Sequence, residues 1–121
     1  MKLWIDDVRT PPEDSGYFWC RSVNGAKACI LRAMKVENIC AFIGAALGRA
    51  DVTLPRRRLI TLIDIDHDAG DYVKDGGDYI KLLDWMEEME INNIAIHIHS
   101  MNPVGVENMR RIIQKNGWKE V

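Results

Sequence analysis

Three short, nearly continuous apolar runs in this chain each end in a polar cluster. KLWI (2–5) meets Asp6-Asp7, LITLIDI (59–65) meets Asp66-His67-Asp68, and IAIHI (94–98) meets His99-Ser100-Met101-Asn102-Pro103. Short apolar runs bounded by polar or turn residues predict strands, and a strand buried on both faces belongs in a parallel sheet. A further strand is predicted over 17–23, where aromatic and β-branched residues gather. Asn24 looks like a helix cap, and Ala28, Leu31 and Met34 follow it at helical spacing. Val36, Ile39, Phe42, Ile43, Ala46 and Leu47 form a second stripe that predicts a helix over 36–49, with Gly48 as its stop. Tyr79, Leu82, Leu83, Met86 and Met89 mark one face of a helix over 78–90. The last helix is predicted to start with Asn102 at its cap and Pro103 at its first position. Met109, Ile112 and Ile113 supply its buried face, Gly117 ends it, and WKEV can add a short edge strand.

The segments between these elements are turn-rich. DDVRTPPEDSG (6–16) contains Pro11-Pro12, which excludes a helix interior. Residues 50–58 hold Pro55 and Arg56-Arg57-Arg58 and read as loop, as does the glycine-bearing stretch 66–77. Alternating strands and helices predict an α/β three-layer sandwich around a mainly parallel central sheet. If the strands are parallel, all three polar clusters meet on the carboxyl edge, where open parallel sheets place their ligands.

Composition narrows this picture. The 121 residues suit one domain with a sizeable core, at 47% hydrophobic and 28% charged. A net charge of -2 implies no strongly basic nucleic-acid surface, so recognition of double-stranded DNA is not expected. The arginine patch at 56–58 reads as a solvated loop, with contact to a phosphate-bearing ligand as the alternative. MKLWIDD meets acid too early for a signal peptide, and no apolar run approaches the roughly 20 residues that span a membrane. Cys20, Cys29 and Cys40 are odd in number and lack CxxC spacing, which suits buried thiols in a reducing cytoplasm.

The clusters suggest chemistry. Asp6 and Asp7 would point to opposite faces inside a strand, but at a strand end both can turn into one crevice. With Asp66 they make a group of carboxylates that repel one another unless a cation compensates. Oxygen ligands without nearby cysteine favour Mg²⁺, Mn²⁺ or Ca²⁺. The bland alternative is that each aspartate caps a loop and faces water. His67 and His99 could act as general acid or base, or as hydrogen-bonded structural groups. His97 shares the His99 face one pleat deeper and reads as structural, although a two-histidine metal pair remains open. Ser100 can donate to a phosphoryl oxygen. A Ser-His-Asp hydrolase would need a GxSxG elbow, which is absent, and no GxxxxGK[ST] phosphate loop occurs. Arg9 can clamp phosphate or form a surface salt bridge. The Asn102-Pro103 helix start suits an anion, beside its capping role.

MKLWIDDVRTPP, IDIDHDAG, GGDYIKLLDWMEE and IHSMNPVGVENM together resemble the cyclic-phosphate processing receiver domain family. The resemblance covers residues 1–34 and 59–114, and its motifs are DDxR, DHDxG and HSxNPxG. It implies a receiver-like (flavodoxin-like) fold, related to response-regulator receivers. It also implies action on cyclic-phosphate ends or nucleotides, in RNA repair and conflict systems. The family pattern falls here on Asp6, Asp7, Arg9, Asp66, His67, Asp68, His99, Ser100, Asn102 and Pro103. In a signalling receiver the first acidic pair binds Mg²⁺, the aspartate after the third strand accepts phosphate, and a Ser or Thr follows the fourth. Asp6-Asp7, Asp66 and Ser100 resemble those positions.

Departures from that pattern matter. A signalling receiver carries a lysine after its fifth strand, and the only late candidate here is Lys119. The first strand lacks a following helix, and residues of about 36–58 look like an insertion. The histidines add acid–base groups that phosphorelay does not need. The resulting expectation is a metal-dependent phosphoesterase-like domain, with Mg²⁺ or Mn²⁺ on Asp6, Asp7, Asp66 and Asp68. Asp66, His67 and His99 would be catalytic; Arg9, Ser100 and Asn102 would hold a phosphate-bearing small molecule or RNA terminus. The alternative is a receiver-derived phosphate-binding or signalling module without turnover, and a third reading is a protein-interaction domain.

Overall fold

The computed structural model describes the backbone of residues 1–47 and 59–121 and the side chains of 1–35 and 59–121. Four strands, β1 (Lys2–Ile5), β2 (Tyr17–Cys20), β3 (Leu62–Ile65) and β4 (Ala95–Ile98), form one sheet in the order β2-β1-β3-β4. Every pairing is parallel. Glu120 adds an isolated parallel bridge to Ile96, so the tail does extend the β4 edge. The fold is an α/β receiver-like one. Its chain order reverses between β1 and β3, and the crevice at that switch point is where such sheets receive ligands.

Helices α1 (Val23–Leu47), α2 (Ile80–Glu88) and α3 (Pro103–Lys115) complete the described fold, together with a short 3₁₀ segment at Gly70–Lys74. Alternation along the strands sends Leu3, Ile5, Ile63, Ile65 and Ile96 to one side. There they share a single core with Val23, Ala26 and Ile30 of α1, Leu82, Leu83 and Met86 of α2, and Met109 and Ile113 of α3. All three helices therefore cover the same face. On the other side, among the described residues, the covering segment is the 6–16 loop rather than a helix. Its Arg9 and Asp6 carbonyls accept hydrogen bonds from Trp4 Nε1 and Trp19 Nε1, each at 2.7 Å.

Several boundaries differ from the sequence reading. The two helices expected on either side of residue 35 are one continuous helix. No glycine or proline lies between Ala26 and Ile43 to break it, and Ala, Leu, Met and Lys favour helix throughout. The cap belongs to Ser22, whose Oγ accepts the Gly25 N–H at 3.0 Å. Asn24 instead donates from Nδ2 to Asp75 Oδ1 at 2.9 Å. β3 starts at Leu62 rather than Leu59 because its ladder partner β1 starts at Lys2. Met89, expected on the buried face, is exposed because α2 ends at Glu88. The insertion expected at 36–58 begins inside α1; Gly48, Pro55 and the Arg56–Arg58 patch lie outside the described residues.

Asn102 and Pro103 behave as expected: the Asn102 side chain accepts the Gly105 N–H at 3.0 Å, and Pro103 opens α3. Cys20 and Cys29 are free thiols with Sγ atoms 3.8 Å apart, and burial, then Cys29, pushes Cys20 up to about 12. The Cys40 side chain lies outside the described residues. Among the described residues no helix is long and apolar enough to cross a membrane.

Candidate phosphate and metal site

The parallel register delivers the ends of β1, β3 and β4 to one edge. Ile5 pairs with Ile65 and Ile65 with Ile98, so the residues that follow emerge side by side. Asp6, Asp7 and Asp66 offer carboxylate oxygens that all lie within 4.8 Å of one another. Asp6 and Asp66 are buried and Asp7 is half-buried. A Mg²⁺ shell of about 2.1 Å radius separates its oxygens by about 3–4.2 Å, so a slight contraction would close these three on one ion. Hard oxygen donors without sulfur suit such a cation. This cluster could therefore hold a metal. Asp68 is not brought into it: its exposed carboxylate faces away, towards His67.

Asp6 is the most committed member. Its Oδ1 accepts the Val8 and Arg9 N–H groups at 2.9 and 2.8 Å, the tight turn that redirects the chain out of β1. Its Oδ2 lies 2.9 Å from His99 Nε2. Burial pulls its pKa up, but these hydrogen bonds together leave the carboxyl below its ordinary value. Asp7 moves the other way: burial and the neighbouring charges of Asp6 and Asp66 raise it. Gly70, at φ +54°, lets this carboxylate fit, since a Cβ there would sit 2.2 Å from Asp7 Oδ2. Tyr79 lies beneath the cluster. Burial, then the charges of Asp7, Asp6 and Asp66, keeps it a phenol that donates to the Arg21 carbonyl at 2.7 Å.

The histidines divide into different environments. His99 Nδ1 meets Asp64 Oδ1 at 2.5 Å while Nε2 meets Asp6 Oδ2. Both partners are carboxylates, so the protonated ring can donate from both nitrogens, and this pair favours the imidazolium form. Burial lowers its pKa, but the hydrogen bonds and charges of Asp64 and Asp6 outweigh that and raise it. Trp4 stacks flat on it, with centroids 4.1 Å apart and planes at 7°. Tyr17 closes the far end, donating to Asp64 Oδ2 at 3.0 Å, and burial, then Asp64, pushes its pKa up to about 12. His67 is held differently. Its Nδ1 lies 2.9 Å from Asp68 Oδ1, and its ring rests on α3 so closely that a Cβ on Gly105 would come within 2.4 Å of Cγ. The Asp68 acceptor at Nδ1 favours the Nδ1–H tautomer of the ring, the form in which Nε2 can accept. His97 sits on the solvent side, its Nδ1 2.6 Å from the Val121 carbonyl.

Arg9 and Ser100 stand on the rim. Arg9 Nη1 donates to the His99 carbonyl at 3.0 Å and lies 4.0 Å from Asp6 Oδ2, while its side chain stays half-exposed. Ser100 Oγ accepts the Asn102 N–H at 3.1 Å, which leaves the hydroxyl proton to give. Asn102 Nδ2 reaches 3.5 Å from His67 Nδ1. Lys119 is exposed, and its carbonyl accepts the Ile96 N–H in the terminal bridge. The first and third strands thus meet the fourth around one acid cluster, with Arg9, His67 and His99 attached to it through hydrogen bonds or shared loops.

Asp64 was missed by sequence reasoning. It lies within the apolar run LITLIDI and is 7% exposed, with both oxygens occupied. An aspartate inside a buried strand requires a compensating partner, and that requirement is the signal that could have found it.

A receiver-like α/β domain with an acidic carboxyl edge is the class this geometry defines. The family model of the cyclic-phosphate processing receiver domain matches residues 1–115, and the chain belongs to that family. Neither the curated proteins nor the solved structures gave a match.

Proposed function

We propose that this domain hydrolyses cyclic phosphate esters at nucleotide or RNA ends, giving a phosphomonoester. The carrying observation is the convergence of three carboxylates at the sheet's switch point, with the His67–Asp68 pair following Asp66 in the same loop, in a chain whose family is defined by cyclic-phosphate processing. Asp6, Asp7 and Asp66 would hold Mg²⁺ or Mn²⁺, which when bound supplies positive charge to the phosphoryl oxygens and lowers the pKa of water. Asp7, with its raised pKa, gains most from such a cation. His67 Nε2 takes the proton of the attacking water, with Asp68 fixing the tautomer. The new P–O bond forms as the bond to one ribose oxygen breaks, and that oxygen leaves as a hydroxyl by taking back the proton that His67 Nε2 removed from the water. Arg9, the Ser100 hydroxyl and Asn102 Nδ2 hold the phosphoryl oxygens. His99 is a fixed cation rather than a proton carrier, because both its nitrogens are engaged.

The test is incubation with nucleoside 2′,3′-cyclic phosphates and cyclic-phosphate-ended RNA. Monoester should form with Mg²⁺ or Mn²⁺ and stop with chelator. No turnover by folded protein across several metals would overturn the reading. A second reading, a phosphate-binding module without turnover, is favoured by Asp66 itself, which stands at the end of β3 beside the acid pair. Beryllofluoride or acetyl phosphate giving an adduct on Asp66, lost in Asp66→Asn, would establish it.

A further inference from the structure

We propose that Arg21 binds the phosphodiester next to the cyclic phosphate, so that this site takes an RNA terminus in preference to a cyclic mononucleotide. The inference rests on the cyclic-phosphate reading above and names its substrate class. β2 ends at Cys20, so Arg21 leaves the same carboxyl edge as the acid cluster, one strand over from β1. The Asp6 N–H donates to the Cys20 carbonyl at 3.2 Å, which sets the backbone of Arg21 beside the acidic turn. Tyr79, the phenol under the carboxylates, fixes the Arg21 carbonyl.

The side chain is held as firmly as its backbone. The guanidinium carbon lies 4.1 Å above the Trp19 ring, and Nη1 contacts Tyr72 Oη at 3.3 Å. Trp19 is itself anchored by its hydrogen bond to the Asp6 carbonyl. Tyr72 belongs to the 3₁₀ segment that begins at Gly70, where the chain presses on Asp7. Arg21 is nonetheless exposed, and among the described residues no carboxylate pairs with it. An arginine stacked on an aromatic ring keeps its planar fork of N–H donors in place at small entropic cost, the form in which proteins recognise phosphate.

Position decides which phosphate. Arg9 flanks the cluster on the β4 side, through the His99 carbonyl, and Arg21 flanks it on the β2 side. A cyclic mononucleotide has one phosphate, which the acid cluster and Arg9 take. Arg21 has an anion to bind only when a phosphodiester adjoins the terminal nucleoside on its 5′ side.

The experiment compares kcat/KM for a nucleoside 2′,3′-cyclic phosphate and for a short oligoribonucleotide ending in the same group. The wild-type protein should prefer the oligonucleotide. Arg21→Ala should lower kcat/KM for the oligonucleotide about tenfold more than for the mononucleotide, and Arg21→Lys should restore part of the preference. The salt slope of oligonucleotide binding should fall by about 0.7 in Arg21→Ala, the loss of one phosphate contact on a single strand. Equal use of both substrates by the wild type, or equal losses on both in the variant, would overturn the role of Arg21 while leaving the hydrolase reading intact. If neither substrate is opened, the hydrolase reading fails and takes this inference with it.

Discussion

The two faces of the sheet are built on opposite principles. The helical face is aliphatic: Leu3, Ile5, Ile63, Ile65 and Ile96 meet three helices in one core. Its cohesion is non-directional and scales with the area removed from water. The far face carries Trp4, Tyr17 and Asp64, joined to His99 at the edge by hydrogen bonds and a ring stack. Its cohesion depends on distances and on charge. The candidate site's hydrogen-bond network therefore does not stop at the strand ends. It continues one residue pair inward, through His99 to Asp64, and the far face serves as its scaffold.

Substitutions on adjacent residues of β3 sharpen this contrast most. Ile63→Ala, on the helical face, should cost about 2–5 kcal/mol in urea unfolding and leave the pH dependence of stability unchanged. Asp64→Asn, its neighbour on the far face, should cost less, about 1.5–3 kcal/mol, because it replaces a charge-assisted hydrogen bond to His99. It should also change the pH profile. If both variants lose stability equally and share one profile, the faces are not distinct.

The pH profile itself is the next measure, taken in chelator so that no cation competes for Asp6. The folded-state pKa of His99 is raised, so its contribution is fully present below the ordinary histidine value and is lost as pH rises through the folded value. Asp6 is lowered, so its contribution is present above the ordinary aspartate value and is lost as pH falls through the depressed one. The thermal midpoint should accordingly be highest in mild acid, with a decline on the alkaline side that shrinks in Asp64→Asn. An alkaline limb identical in both proteins would show that Asp64 does not hold the imidazolium.

The smallest expected effect lies at the edge. Gly105→Ala forces a methyl into the His67 ring and should cost about 1–3 kcal/mol while displacing the imidazole from Asp68. Turnover should drop while oligonucleotide binding, measured in chelator, holds. A variant with full turnover would mean that the ring's seat on α3 is irrelevant to proton transfer.

Much of the helical face was legible in the sequence. Period and apolar run length located β1, β3, β4, α2 and α3, and cap chemistry placed Asn102 and Pro103. The acid cluster was legible for the same reason, since a parallel sheet brings strand ends together wherever the strands are recognised. What stayed hidden depends on pairing. A strand buried on both faces loses its alternation, so Asp64 could be assigned neither a side nor a partner from LITLIDI alone. His99 looked like a free acid–base group because its two carboxylates come from β3 and the β1 turn, far away in sequence. Arg21 was overlooked because its neighbours Trp19 and Tyr72 belong to different segments. Between Ala28 and Ile43 the helical stripe runs on without glycine or proline, and no local chemistry supported splitting it at residue 35.

The stack of Trp4 on His99 has a practical consequence. A protonated imidazole in face contact with an indole accepts an electron from its excited state and quenches its emission. Of the four tryptophans in the chain, Trp4 is the one stacked on an imidazole among the described residues. A cation or substrate that drew Asp6 away from His99 would alter that quenching. On the reading proposed above, Trp4 emission would report site occupancy without label or turnover.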